Sequence, residues 1–278
     1  MRRMFAFLAA VGLVASLAGP GTVAASARHA EYLALGDSLA FGYNPLVDPA
    51  KPARFIGYTD FVAVVVRDTL TNASCPGETS SHFIDLAGSD RGCGTFRSAY
   101  RLHVAYPGTQ LAFADAFLAT HPNTQLVTID IGANDLNVLV DSCGGREHVS
   151  CILDGLPGML VTLASNLSTI YGHLRTVDGY QGKLVALTFP SLDYADPILT
   201  GVVQQLDLVV ATVTLAWGGI VADGFGPWAS ASAAFGGDTC AAGLRVVTST
   251  TPRTCDDHPS LLGHALLAWA IVRALHSA

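Results

Sequence analysis

Tyr32-Leu33-Ala34-Leu35-Gly36-Asp37-Ser38-Leu39 is the stretch that decides the fold. Four consecutive apolar residues run directly into a glycine, an acid and a serine. An unbroken apolar run of this length suits a strand covered on both faces, the condition of a parallel sheet. Residues 126–131 (Leu-Val-Thr-Ile-Asp-Ile) repeat the pattern and end at Gly132-Ala133-Asn134-Asp135. Residues 183–189 are stopped by Pro190, and 219–222 and 70–73 are shorter candidates. Helical patterns fill the intervals. Thr59 or Asp60 caps a helix running to about position 70, and others span 109–119, 159–174, 199–217 and 260–276. This alternation predicts one α/β domain with helices on both faces of a parallel sheet. Ligands of such sheets bind beyond the carboxyl ends of the strands, which is where Ser38 and Asn134 stand.

The chain ahead of this region reads as a secretory signal peptide. Arg2 and Arg3 precede an apolar run over residues 4–19, Gly19-Pro20-Gly21 breaks it, and Ala25-Ser26-Ala27 offers a small-residue cleavage site. Residues 1–27 are therefore assigned to the signal and 28–278 to a single secreted domain. The 278 residues carry 15 Lys and Arg against 22 Asp and Glu, a formal charge of −7 that becomes −9 without Arg2 and Arg3. So acidic a chain is poorly equipped to neutralise phosphates, and nucleic acid is not expected as a partner. Past the signal, no uninterrupted apolar run has the length of a membrane span, so stable insertion is not expected.

Export also predicts oxidised cysteines. Cys75, Cys93, Cys143, Cys151, Cys240 and Cys255 are even in number, and pairing neighbours (75–93, 143–151 and 240–255) closes three short, polar, Gly-rich loops. There is no Cys-x-x-Cys and no tight Cys/His cluster, so no metal site is expected.

Acyl transfer needs a nucleophile, a base to take its proton and donors aimed at the oxyanion. Taken singly, Ser38, Asn134 and His258 read as turn or loop residues. Their order and setting are specific together. Leu35-Gly36-Asp37-Ser38-Leu39, Asn72-Ala73-Ser74-Cys75-Pro76-Gly77-Glu78-Thr79, Gly132-Ala133-Asn134-Asp135 and Asp256-Asp257-His258-Pro259 followed by Gly263-His264 resemble four successive blocks of the GDSL/SGNH hydrolases. The resemblance spans about residues 32–278. It implies a three-layer α/β/α sandwich of flavodoxin type and hydrolysis of carboxylic esters through an acyl-enzyme, without a cofactor. Ser38 would be the nucleophile and His258 the base. The N–H groups of Ser38 and Gly77 and the amide of Asn134 would form the oxyanion hole. Glycine at 77 would let bare backbone approach the substrate oxygen.

One position departs from the family pattern. The usual acid lies three residues before the histidine, and Cys255 stands there. Asp256 is the expected substitute, with Asp257 or a backbone carbonyl near Cys255 as alternatives. No Gly-x-Ser-x-Gly, His-Glu-x-x-His, phosphate-binding Gly-Lys loop or Gly-x-Gly-x-x-Gly is present. The expected partner is a small-molecule or lipid ester acted on by a monomeric extracellular lipase or esterase. Residues 199–217 and 227–235 are expected to help line an acyl pocket. A polysaccharide deacetylase and a secreted binding protein without turnover are the rival readings. Asp37 and Asp135 are expected to bond backbone, Asp223 to sit in a turn, and His264 to pack in or beside the last helix. Asn72-Ala73-Ser74 fits a glycosylation acceptor.

Overall fold

The structure is a computed structural model that describes residues 30–277; the signal assigned to residues 1–27 lies outside them. Side chains alternate across each strand, and that alternation builds two cores. In β1 (Glu31–Gly36), Tyr32 and Ala34 face one side while Leu33 and Leu35 face the other. In β4 (Lys183–Leu187), Leu184 and Ala186 oppose Val185 and Leu187 in the same way. With β2 (Thr69–Asn72), β3 (Thr124–Asp130) and β5 (Ile220–Ala222) they form a wholly parallel sheet in the order β2-β1-β3-β4-β5. A separate antiparallel pair, β6 (Arg245–Thr250) and β7 (Arg253–Pro259), follows near the C-terminus.

Helices cover both faces, giving the three layers. The core of one face joins the sheet to α3 (Ser80–Ile84), α5 (Gln110–Thr120), α7 (Val149–Gly172) and α8 (Pro197–Ala216). The other face carries α2 (Tyr58–Val66), α9 (Phe225–Ser232) and α10 (Leu261–Ser277). The short α1 (Ser38–Phe41) follows β1, α4 (Cys93–Ala99) follows the first disulfide loop, and α6 (Ala133–Ser142) follows β3. Residues 149–177 and α8 are each long and apolar enough to cross a membrane by length and composition; here α7 and α8 form the outer layer of one face.

All five expected sheet strands are present. The helix expected to reach position 70 ends at Val66, where Arg67 turns left-handed (φ 63°) and β2 begins. Its cap is Gly57, whose N–H donates to Asp60 Oδ2 at 2.8 Å, rather than Thr59 or Asp60 themselves. The three neighbour disulfides are formed: Cys75–Cys93, Cys143–Cys151 and Cys240–Cys255. The glycosylation reading of Asn72 is corrected. Its amide is buried and donates to Ala40 O at 2.8 Å and Thr59 Oγ1 at 3.2 Å, beyond reach of any glycan donor.

Candidate active site

The sheet order reverses direction between β1 and β3, and such switch points leave a crevice at the carboxyl ends of the strands. Ser38 follows β1 and Asn134 follows β3, so each stands on one lip of that crevice. Gly36 makes the turn possible: its φ is +133°, and a Cβ there would lie 1.7 Å from Asp130 Oδ1. Asp37 then caps α1, Oδ1 accepting the N–H of Leu39 at 2.9 Å. Ser38 is the first residue of that helix and is 9 % exposed. Burial pushes the Asp37 carboxyl up to about 7.

The two lips are tied together. Asn134 Nδ2 donates to Asp37 Oδ2 at 3.2 Å and to the Glu78 carbonyl at 3.0 Å. Asp135 accepts from Ser80 N at 2.9 Å and Ser80 Oγ at 2.5 Å, which fixes α6 against α3. Gln110 was not singled out by the sequence. Wholly buried, it accepts from Gly36 N at 2.6 Å and donates to Gly36 O at 3.0 Å and Glu78 Oε2 at 3.1 Å. Glu78 in turn pairs with His82 Nδ1 at 2.5 Å. Burial raises the Glu78 carboxyl, and the hydrogen bond His82 makes to Glu78 raises His82. The spacing of four residues between Glu78 and His82 would have marked this pair; the role of Gln110 depends on tertiary placement, and nothing in the sequence marks it.

Gly77 lies in the loop closed by Cys75–Cys93. Backbone packing gives a further reason for glycine there. Its φ is +85°, and a Cβ would meet Arg91 O at 2.7 Å, so close backbone packing against 91–93 excludes a side chain. Among the described residues, the N–H groups of Ser38 and Gly77 have no hydrogen-bond acceptor. Cys75, Glu78 and Cys93 lie together, but the disulfide removes both thiolates that a metal would need.

His258 is the penultimate residue of β7 rather than sitting in a loop. Its Nδ1 bonds Asp256 Oδ1 at 2.5 Å, and its N–H donates to the same oxygen at 3.0 Å. The His258 hydrogen bond holds the Asp256 carboxyl below its ordinary range. Asp257 points away and pairs with Arg146 and Arg245. Of the three acceptors considered for the histidine, the side chain of Asp256 is the one in contact. The Tyr43 ring packs edge-on against the imidazole, centroids 4.7 Å apart.

Ser38, Asn134, Asp256 and His258 line one cleft of about 380 Å³; Gly77 is not among its lining residues. Its remaining wall is mostly apolar: Leu136 and Val140 of α6, Ile152 of α7, and Val202, Val203 and Leu206 of α8. Of the two segments expected to form an acyl pocket, 199–217 contributes through its N-terminal half and 227–235 through Trp228 alone.

A family model described as the GDSL-like lipase/acylhydrolase family matches residues 34–266. The chain belongs to that family. Solved structures of similar fold include phospholipase A1 from Streptomyces albidoflavus NA297, at 18 % identity and a TM-score of 0.57, covering 90 % of this chain and 99 % of that one. The extracellular lipase from Streptomyces rimosus is 17 % identical over the same shares, with a TM-score of 0.56. The acetylxylan esterase Axe2 from Geobacillus stearothermophilus is 15 % identical, covering 89 % and 94 %, with a TM-score of 0.54. No curated protein sequence gives a significant match. The sheet and its flanking helices are those of the three-layer GDSL hydrolase fold.

Proposed function

We propose that this GDSL-family protein is a secreted serine esterase of lipase type, acting on esters with an apolar acyl chain. The observation that carries this is a single cleft presenting Ser38, Asn134 and the Asp256–His258 pair beside a wall of aliphatic side chains. Ser38 Oγ attacks the carbonyl carbon while His258 Nε2 takes its proton. Asp256 keeps the remaining proton on Nδ1 and stabilises the imidazolium. The oxyanion is received by the N–H groups of Ser38 and Gly77 and the Asn134 amide. The carbonyl reforms, the alcohol leaves with the proton held by His258, and the acyl group stays on Ser38. Water, deprotonated by His258, then releases the acid. No group outside the chain is required. Three disulfides and the signal-like N-terminus support export, and the single self-contained cleft supports action as a monomer.

The aliphatic wall favours a fatty acyl chain over acetyl-polysaccharide. The aromatic rings lining the cleft are Phe189 and Trp228. Trp228 is fully buried, its Nε1 donating to Gly263 O, so it offers no sugar platform. The test is a panel of chromogenic esters of increasing chain length, with fluorophosphonate labelling. Wild-type protein should label and prefer chains longer than acetyl. Ser38→Ala should lose both labelling and turnover while remaining folded. A variant keeping more than a small fraction of its turnover would sink the assignment, and a preference for acetyl esters would move the substrate to the deacetylase class.

A further inference from the structure

Arg245 belongs to none of the motifs that pointed to the site, yet its guanidinium holds the segment that presents the histidine. The β6–β7 ladder is broken there. Arg245 pairs with Pro259 and Val247 with Cys255, so two steps on β6 oppose four on β7. Asp256, Asp257 and His258 therefore form a bulge with no regular ladder partners, a device common next to active sites. Left alone, such a bulge would have unpaired carbonyls and a soft backbone.

Arg245 fills that gap. Its Nε donates to the Asp256 carbonyl at 2.9 Å, and its Nη2 to the Cys255 carbonyl at 3.2 Å and Asp257 Oδ1 at 2.9 Å. One planar fork thus grips three consecutive residues, a geometry that a lysine ammonium does not reproduce. The side chain is only 15 % exposed, so its bonds to the two carbonyls are partly sheltered from water, while the bond to Asp257 is exposed. The other oxygen of Asp257 takes Arg146, which stands in the Cys143–Cys151 loop and lines the cleft.

We infer that Arg245 is a positioning residue for the hydrolysis: it replaces the missing ladder bonds of the 256–258 bulge and so fixes the Asp256–His258 pair relative to Ser38. This rests on the serine-esterase reading. Arg245 touches neither substrate nor reacting atoms and acts through the backbone that carries them.

The experiment compares wild type, Arg245→Ala, Arg245→Lys and Asp256→Asn with a soluble chromogenic ester. Fluorophosphonate titration counts competent sites, so kcat is expressed per labelled serine. Arg245→Ala should lower that kcat by about 10- to 100-fold, the scale set by misplacing reacting groups by about 1 Å, with KM little changed. Arg245→Lys should fall between it and wild type. Methylguanidinium at millimolar concentration should restore part of the loss in Arg245→Ala and nothing in Asp256→Asn. A purely structural role would instead reduce the number of labelled sites and the melting temperature, leaving kcat per site intact. That result would overturn the proposal, as would full activity in Arg245→Ala. If the alanine variant cannot be recovered, Arg245→Lys carries the same comparison. Wild-type protein that fails to label would remove the serine-esterase reading and this inference with it. An inert Asp256→Asn beside a damaged Arg245→Ala would overturn the acid assignment alone.

Discussion

Asn134 commits both hydrogens of its amide in the resting site, to the Glu78 carbonyl at 3.0 Å and to Asp37 Oδ2 at 3.2 Å. An oxyanion arriving beside Ser38 must displace one of them. The amide is thus aimed by its resting partners and gains its full effect only when charge develops. Asn134→Ala should therefore reduce kcat by about 10²- to 10³-fold, the cost of removing one oxyanion donor, with little effect on KM. Steady-state kinetics on a soluble ester would show this. A rise in KM alone would make Asn134 a substrate-binding or turn residue. At this scale Ser38, Asn134 and His258 were legible because each follows a recognisable strand end or precedes a helix. The choice of Asp256 over Asp257 has no support in a loop, where neighbouring side chains have no fixed faces. On a strand, residues i and i+2 share a face, so Asp256 meets His258 while Asp257 faces the arginines.

The elements that escaped the sequence share a cause: their pattern was overridden by contacts far away in the chain. The β6–β7 pair is mostly half-buried or exposed and rich in Thr, Ser and Arg, so no apolar alternation marks it. Helix α7 begins ten residues before the expected start at position 159, and runs through Gly155, Pro157 and Gly158. Those residues read as helix breakers. Gly155 instead lets α6 approach, since a Cβ there would lie 2.5 Å from Leu139 Cδ1. The strands, continuous in apolar residues and buried, carried their own signal. The hairpin supplies the prediction at this scale. Cys240–Cys255 closes a separation of 15 residues, for which chain entropy gives about 3 kcal/mol of stabilisation. Replacing both cysteines by alanine should lower stability by that order in urea unfolding. Surviving protein should keep kcat per labelled site closer to wild type than Asp256→Asn does, because Arg245 still grips the carbonyls of 255 and 256. A larger kcat loss than in Asp256→Asn would make the disulfide, rather than the carboxylate, the main support of His258.

For the whole molecule, the consequence of so much buried acid is an unusual dependence of stability on pH. The switch-point topology draws acidic residues into the interior around the crevice, and burial pushes Asp37 up to about 7. Asp207 of α8 is likewise pushed up to about 7 by burial, although it accepts the N–H of Phe189 at 2.8 Å. An unfolded carboxyl ionises near 3.9. Between about pH 4 and 7 the native state thus keeps protons on Asp37 and Asp207 that the unfolded chain has released, and stability falls as pH rises through that window. His264 opposes this. Burial holds it down to about 3, so below about pH 6.5 the unfolded chain gains a proton that the native state refuses. Asp130, Asp135 and Glu78, raised by burial as well, act in the same direction as Asp37 and Asp207, so the buried carboxyls outweigh the one imidazole and stability falls with rising pH over this window. Asp256, held low by His258, contributes stability above about pH 3.9 that is lost on further acidification. The melting temperature at constant ionic strength should therefore be higher at pH 5 than at pH 8. Asp207→Asn retains a carbonyl acceptor for Phe189 and cannot ionise, so it should flatten the decline between those two values. A melting temperature that rises from pH 5 to 8, or an unchanged slope in Asp207→Asn, would mean that these carboxyls are already ionised in the folded protein.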